Sequence, residues 1–149
     1  MSSKSSIGYI DVRVFAHATE DPEKVLAAVR NILPLELGED VVFRKTLLTG
    51  HHGNPIVVLE KRLTDKKELP LVLEGIGERL TVLDKEMLAS DLRRHLERRD
   101  LYLRFDKQAA FQGRVRFTQI DPIRFKVHFK GKSFKEIVEI CRKAGLLLL

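Results

Sequence analysis

The stretch Ile123-Arg124-Phe125-Lys126-Val127-His128-Phe129-Lys130 alternates apolar and cationic residues without a break. Period two marks a β-strand with one face in a core and the other in water. Ile123, Phe125, Val127 and Phe129 therefore point inward, and Arg124, Lys126, His128 and Lys130 point outward. Two neighbouring segments predict the same arrangement. Leu101, Leu103 and Phe105 alternate with Tyr102, Arg104 and Asp106, and Val115 and Phe117 alternate with Arg114, Arg116 and Thr118. Gln119 to Pro122 reads as the turn between the last two. Three strands are thus predicted in the C-terminal third.

Working outward, Ile10, Val12, Val14 and Ala16 alternate with Asp11, Arg13, Phe15 and His17, a half-buried opening strand. A helix follows from Pro22, with Thr19 or Asp21 as its cap and Val25, Leu26, Val29, Ile32 and Leu33 at helical spacing up to Pro34. Residues 40–49 and 55–64 predict two strands of a hairpin joined by Gly50-His-His-Gly-Asn54. Asp65 and Glu68 have capping-box spacing and open a second helix toward Gly77, with Pro70 disturbing its first turns. A third helix is predicted from about Asp84 to Arg98, burying Met87, Leu88, Leu92 and Leu96. Ser133, with Glu136 at the capping-box position, starts a last helix that turns Phe134, Ile137, Val138 and Cys141 inward, with Gly145 at its end. The order is β-α-β-β-α-α-β-β-β-α. Hairpin-length connections predict a mostly antiparallel sheet with the helices on one face, an α+β fold. The strict βα alternation of a doubly wound parallel sheet is absent.

The chain has 149 residues, enough for one domain without a disulfide or metal staple. Residues 1–7 read as a disordered leader without an apolar stretch, and 8–149 as a single domain. No apolar run exceeds five residues, far short of the ~20 a membrane span needs. One cysteine excludes an internal disulfide framework and agrees with a reducing compartment. The expected setting is cytoplasmic. Sparse Asn and Gln against 32% charged residues lean toward a thermophile.

The net charge of +6 is unevenly spread. Residues 1–75 carry 10 basic and 11 acidic side chains, whereas residues 101–135 alone carry 9 basic and 2 acidic. Alternation puts Arg114, Arg116, Arg124, Lys126, His128 and Lys130 on one sheet face, joined by Tyr102 and Arg104 if the strand from Leu101 belongs to the same sheet. Like charges crowded on strands ~4.7–4.9 Å apart repel one another, and a phosphate backbone is their natural counter-charge. Arginine matches phosphate geometry in a bidentate manner. Tyr102 and Phe15 offer stacking surfaces suited to single-stranded RNA. The competing explanation is a solvated face whose lysines discourage edge aggregation.

Other chemistry is thinly represented. The histidines at 17, 51, 52, 95 and 128 form no helical H-x-x-x-H pair and have no cysteine partner, so no metal site or cofactor is expected. Gly75-Ile-Gly77 lacks the rest of a phosphate loop. A ribonuclease would need His52 or His128 positioned as a general base beside a 2′-hydroxyl. The four terminal leucines either fold back on the core or dock on a partner protein.

Two segments carry a resemblance. Gly50-His51-His52-Gly53-Asn54-Pro55-Ile56 and Leu101-Tyr102-Leu103-Arg104-Phe105-Asp106-Lys107-Gln108-Ala109-Ala110 resemble signature segments of an archaeal family of RNA-binding proteins, predicted exosome subunits. Val14 to Asp21 is similar to the start of that family, and the likeness runs from about Ile7 to Phe129. It implies an α+β fold like that of the ribosomal protein that binds the smallest large-subunit RNA. It also implies a non-enzymatic RNA-associated role, with an exosome link resting on gene neighbourhood. It adds His52 (rather than His51), Asn54, Asp106, Lys107 and Gln108 to the basic face.

The expectation is thus a non-catalytic RNA-binding protein, accessory to RNA processing or exosome-related work. Tyr102, Arg104, Lys107, Gln108, Arg114, Arg116, Arg124, Lys126, His128, Lys130, His52 and Asn54 are its expected RNA contacts. The expected partners are single-stranded or structured RNA and exosome- or ribosome-related proteins, not a membrane. The oligomeric state is left open, with a homodimer among the states allowed. The alternatives are a histidine-dependent ribonuclease and a protein-interaction subunit using its apolar tail.

Overall fold

A computed structural model describes residues 7–38, 41–50 and 52–148. Six strands form one antiparallel sheet: β1 (Ile7–Ala16), β2 (Arg44–Thr49), β3 (Pro55–Leu63), β4 (Leu96–Glu97), β5 (Asp100–Phe105) and β6 (Ile123–Phe129). Their spatial order is β2-β3-β1-β6-β5-β4, so β1 and β6 lie side by side at the centre. Of the expected leader, Ile7 opens β1 and the remainder lies outside the described residues.

The helices are α1 (Pro22–Ile32), α2 (Leu35–Gly38), α3 (Leu69–Arg79), α4 (Val82–Ser90), α5 (Leu92–His95), α6 (Lys107–Phe111) and α7 (Phe134–Lys143). Side chains of α1, α3 and α7 join Ile10, Val12, Val14, Leu59, Leu101, Leu103, Phe125 and Val127 in one hydrophobic cluster. One sheet face is thereby covered and the other is left bare, as the alternation predicts.

Local chemistry starts the helices. Asp21 accepts from the Glu23 amide at 2.9 Å, and Pro22 takes the first position of α1, where no amide proton is needed. Thr81–Asp84 and Ser133–Glu136 form capping boxes at α4 and α7. The Ser133 backbone and side-chain hydrogen bonds hold the Glu136 carboxyl below its usual pKa. Arg79 at the end of α3 donates to the Asn31 and Ile32 carbonyls, which the α1 C terminus leaves without helical donors.

Several expectations are corrected. Residues 114–118 are not a strand. Gly113 turns the chain at φ 82°, and a single bridge, Phe105↔Phe117, then pairs the segment with the β5 edge. Val115 is buried and Phe117 stacks on Phe105 at 5.4 Å, so this loop is anchored by its apolar residues rather than by a ladder. The helix expected over 84–98 starts earlier, at Thr81, and stops at Asp91, whose φ of −112° and ψ of 18° leave the helical region. Met87, expected inside, is 54% exposed. The strand expected from residue 40 begins at Arg44 and includes neither Val41 nor Phe43, which are nonetheless buried. Asp65 accepts from the Lys67 amide in a turn, and Glu68 caps nothing with its side chain.

Gly77 does not end α3 but lies within it. A Cβ there would collide with the Ala144 carbonyl, so its lack of a side chain lets the chain after α7 lie against α3. Gly145 follows α7 at φ 85°, in the left-handed region expected of a helix-ending glycine. Leu146 and Leu147 are buried in the core, so these tail leucines pack on their own domain and are not available to a partner.

Candidate nucleic-acid interface

The bare face is built by the outward members of five strands. Register places them in lateral rows. Arg44 of β2, Glu60 of β3, Arg13 of β1, Arg124 of β6 and Arg104 of β5 form one row. Arg62, Asp11, Lys126 and Tyr102 form the next. Tyr9, His128 and Asp100 form a third.

Pairing removes about half of this charge. Arg44 bonds Glu60 at 3.1 Å, and Arg62 grips Asp11 through two nitrogens at 2.7 and 2.9 Å. That hydrogen bond to Asp11 raises the Arg62 pKa. Asp100 lies 2.7 Å from His128 and 3.9 Å from Lys126. Burial works against the Lys126 ammonium, but Asp100 and the tyrosine hydroxyls outweigh it and raise its pKa.

Three arginines are left. Among the described residues Arg13, Arg104 and Arg124 pair with no carboxylate. They occupy register positions on the three adjacent strands β1, β6 and β5. Arg124, in the middle, is half-buried, and its Nε is shielded from water without a hydrogen-bond acceptor. Burial, then the charge of Arg13, lower its pKa. Flanked by two arginines and paired with no carboxylate, this guanidinium has a counter-charge to gain from an anion on the face. A shallow depression of about 490 Å³, lined by Asp11, Arg13, Arg44, Glu60, Arg62 and Arg124, lies over it. A larger cleft of about 930 Å³ runs between α3 and α7, on the helical side and away from this row.

Aromatic rings flank the arginines. Arg104 and Arg124 lie 5.3 and 5.6 Å from the Tyr102 ring centroid, and Arg13 lies 5.5 Å from that of Phe15. Tyr9 is already occupied: Arg62 sits 3.9 Å over its ring, and His128 stacks on it at 4.8 Å.

The other expected contacts are dispersed. Arg114 and Arg116 are exposed on the loop after α6, not in the rows, because residues 114–118 form no strand. Lys130 is exposed just past β6, at the end remote from Arg124. Lys107 is largely withdrawn. Its ammonium donates to the Phe15 carbonyl at 2.6 Å, to Glu20 at 3.0 Å and to Asp121 at 2.7 Å. Asp106 caps α6 through the Ala109 amide, and Gln108 is exposed on that helix. His52 and Asn54 are exposed on the β2–β3 connection, at the same end of the sheet as Gln108 and Phe15, and His51 lies outside the described residues.

His17, Glu20 and Asp121 bring three ligand-type side chains together. The Lys107 ammonium sits among them and already supplies the positive charge. Burial would raise the Asp121 pKa, but hydrogen bonds from Lys107 and His17 hold it below the ordinary value. Cys141 is fully buried, which pushes its thiol up to about 12 and leaves it a small core residue.

Arg13 was the residue missed by sequence reasoning. The signal was its place on an alternating strand, but only the β1–β6 register sets it beside Arg124.

A family model described as RNA binding matches residues 9–129, a span that holds all three unpaired arginines and both flanking rings. The chain belongs to this RNA-binding family. A relative in it, an RNA-binding protein of Pyrococcus abyssi, is 34% identical over 146 residues, covering 97% of this chain and 94% of that protein. Among solved structures, a DUF54 protein from Archaeglobus fulgidus is similar, with a TM-score of 0.78 and 29% identity over 93% of this chain and 99% of that one. Another DUF54 protein, from Methanothermobacter thermautotrophicus, has a TM-score of 0.74 and 29% identity over 95% of this chain and 98% of the other.

Proposed function

We propose that this protein binds RNA through the bare sheet face, with Arg13, Arg104 and Arg124 on the phosphate backbone, as an accessory to RNA processing or exosome-related work. The observation that carries this reading is the row of three arginines on adjacent strands that no carboxylate among the described residues neutralises. Phosphate oxygens supply the missing counter-charge, and release of condensed counterions drives the association. Membership in the RNA-binding family and the name of the Pyrococcus abyssi relative support the nucleic-acid class. Tyr102, Lys126 and His128 extend the face beyond the triad. Gln108, Asn54 and His52, at the Phe15 end, are suited to base edges or sugar hydroxyls.

The test is the salt dependence of RNA binding. On single strands, log affinity falls with log salt at a slope of about −0.7 per phosphate neutralised. Replacing all three arginines by alanine should therefore make the slope shallower by about 2. Arg114→Ala/Arg116→Ala is the comparison, and a change confined to that pair would move the site to the loop after α6. An unchanged slope in the triple variant removes this face. The reading is non-catalytic, so RNA incubated with pure protein and divalent metals should stay intact.

A further inference from the structure

We propose that the face takes a single strand of RNA and not a duplex, laid diagonally from Phe15 to Tyr102 across Arg124. This rests on RNA being the ligand of the face. Register fixes the geometry. Tyr102 lies in the row of Asp11, four residues along β1 from Phe15 and two strands away from β1. At ~3.4 Å per residue and ~4.8 Å per strand, the two rings are ~17 Å apart. Arg13 and Arg124 are paired, two residues from the Phe15 row and two from the Tyr102 row. Since β6 lies between β1 and β5, Arg124 falls at the midpoint of the diagonal, with Arg13 and Arg104 on its two sides.

A ring, the central guanidinium of the triad and a second ring therefore lie on one line, with the other two arginines beside it. That is the pattern a single strand uses, with bases on the rings and phosphates on the cations between. A duplex has its base faces buried in its own stack and offers nothing for Phe15 and Tyr102 to cover. Tyr9 does not compete, because Arg62 and His128 already occupy it. A path of ~17 Å corresponds to ~5 nucleotides at the ~3.4 Å rise of a stacked strand, and to fewer if the strand is extended.

Fluorescence anisotropy with labelled oligouridylates of two to ten nucleotides, and with an oligonucleotide of mixed sequence free or annealed to its complement, tests this. The expected result is affinity that climbs steeply to about five nucleotides and slowly beyond, with the duplex binding clearly more weakly than the free strand. Phe15→Leu and Tyr102→Leu should each weaken the single strand roughly fivefold or more, whereas Phe15→Tyr and Tyr102→Phe retain a ring and the affinity. Equal binding of strand and duplex overturns the proposal. So does wild-type affinity in both leucine variants, confirmed as folded by thermal melting, or a loss in Tyr102→Phe equal to that in Tyr102→Leu. Wild-type affinity in the triple arginine variant would instead overturn the RNA reading of the face itself.

Discussion

At the scale of single residues, Lys107 and Arg124 show the same cation put to opposite uses. Lys107 is ringed by Glu20, Asp121 and the Phe15 carbonyl, so its charge is consumed inside the protein. It ties α6 to the end of β1 and to the loop before β6. Lys107→Met should cost about 1–2 kcal/mol of stability, the value of breaking a partly buried ion cluster with allowance for its exposed rim. The loss should depend on pH. Asp121 has a folded pKa below its unfolded one, so its carboxylate stabilises the fold above the unfolded value and loses that effect as pH falls through the folded one. Urea unfolding between pH 7 and 2 should show a flatter acid limb in Lys107→Met than in wild type. Equal acid limbs would show that this cluster contributes nothing. Arg124 differs because its neighbours on both sides are arginines.

At the scale of elements, the contact between α3 and the turn after α7 closes the helical layer. It depends on Gly77, where any Cβ meets the Ala144 carbonyl backbone, which cannot rotate away as a side chain would. Gly77→Ala should therefore destabilise by about 1–3 kcal/mol, against the gain that alanine normally brings to a helix interior. Thermal unfolding measures the sign. RNA affinity below the melting transition should be unchanged, since α3 lies on the other side of the sheet from the triad. The strands β1, β5 and β6 were legible from alternation alone, because their inward positions are uniformly apolar. The stretch 114–118 showed the same alternation and failed as a strand. Two apolar residues suffice to anchor a loop, and periodicity over five residues does not distinguish a ladder from such an anchor. The helix expected over 84–98 was misjudged at both ends. Thr81 provides the cap that Asp84 merely completes, and Ser90 and Asp91, both weak helix formers, stand where the backbone breaks.

At the scale of the whole molecule, the helices and the tail cover one face of the sheet and leave the other to a ligand. Leu146 is fully buried and Leu147 nearly so, which makes the C terminus part of that cover. Leu146→Ala should cost about 3 kcal/mol, in the range for a large-to-small change in a core, with the solution mass unchanged. A change in mass without a change in stability would return the tail to an intermolecular role. The distribution of charge over the molecule follows the same division. The cationic excess of residues 101–135 appears in the sequence as one block, but the fold divides it among Lys107 in a structural cluster, Arg114 and Arg116 on a loop, and Arg104 and Arg124 in the open row. The fold adds Arg13 to that row from a segment with no excess of charge.

The sequence by itself determined the α+β class, the central strands and the inward face of each central strand. These follow from local periodicity, which each strand carries within its own few residues. Only the tertiary structure decided which cations remain unpaired. Neutralisation is a matter of strand register: Arg62 meets Asp11, Arg44 meets Glu60, and Arg13 meets Arg124 because residues 51, 16 and 111 positions apart come opposite one another. No pattern within a strand records its neighbour's register, so the candidate site becomes visible only when the strands are side by side.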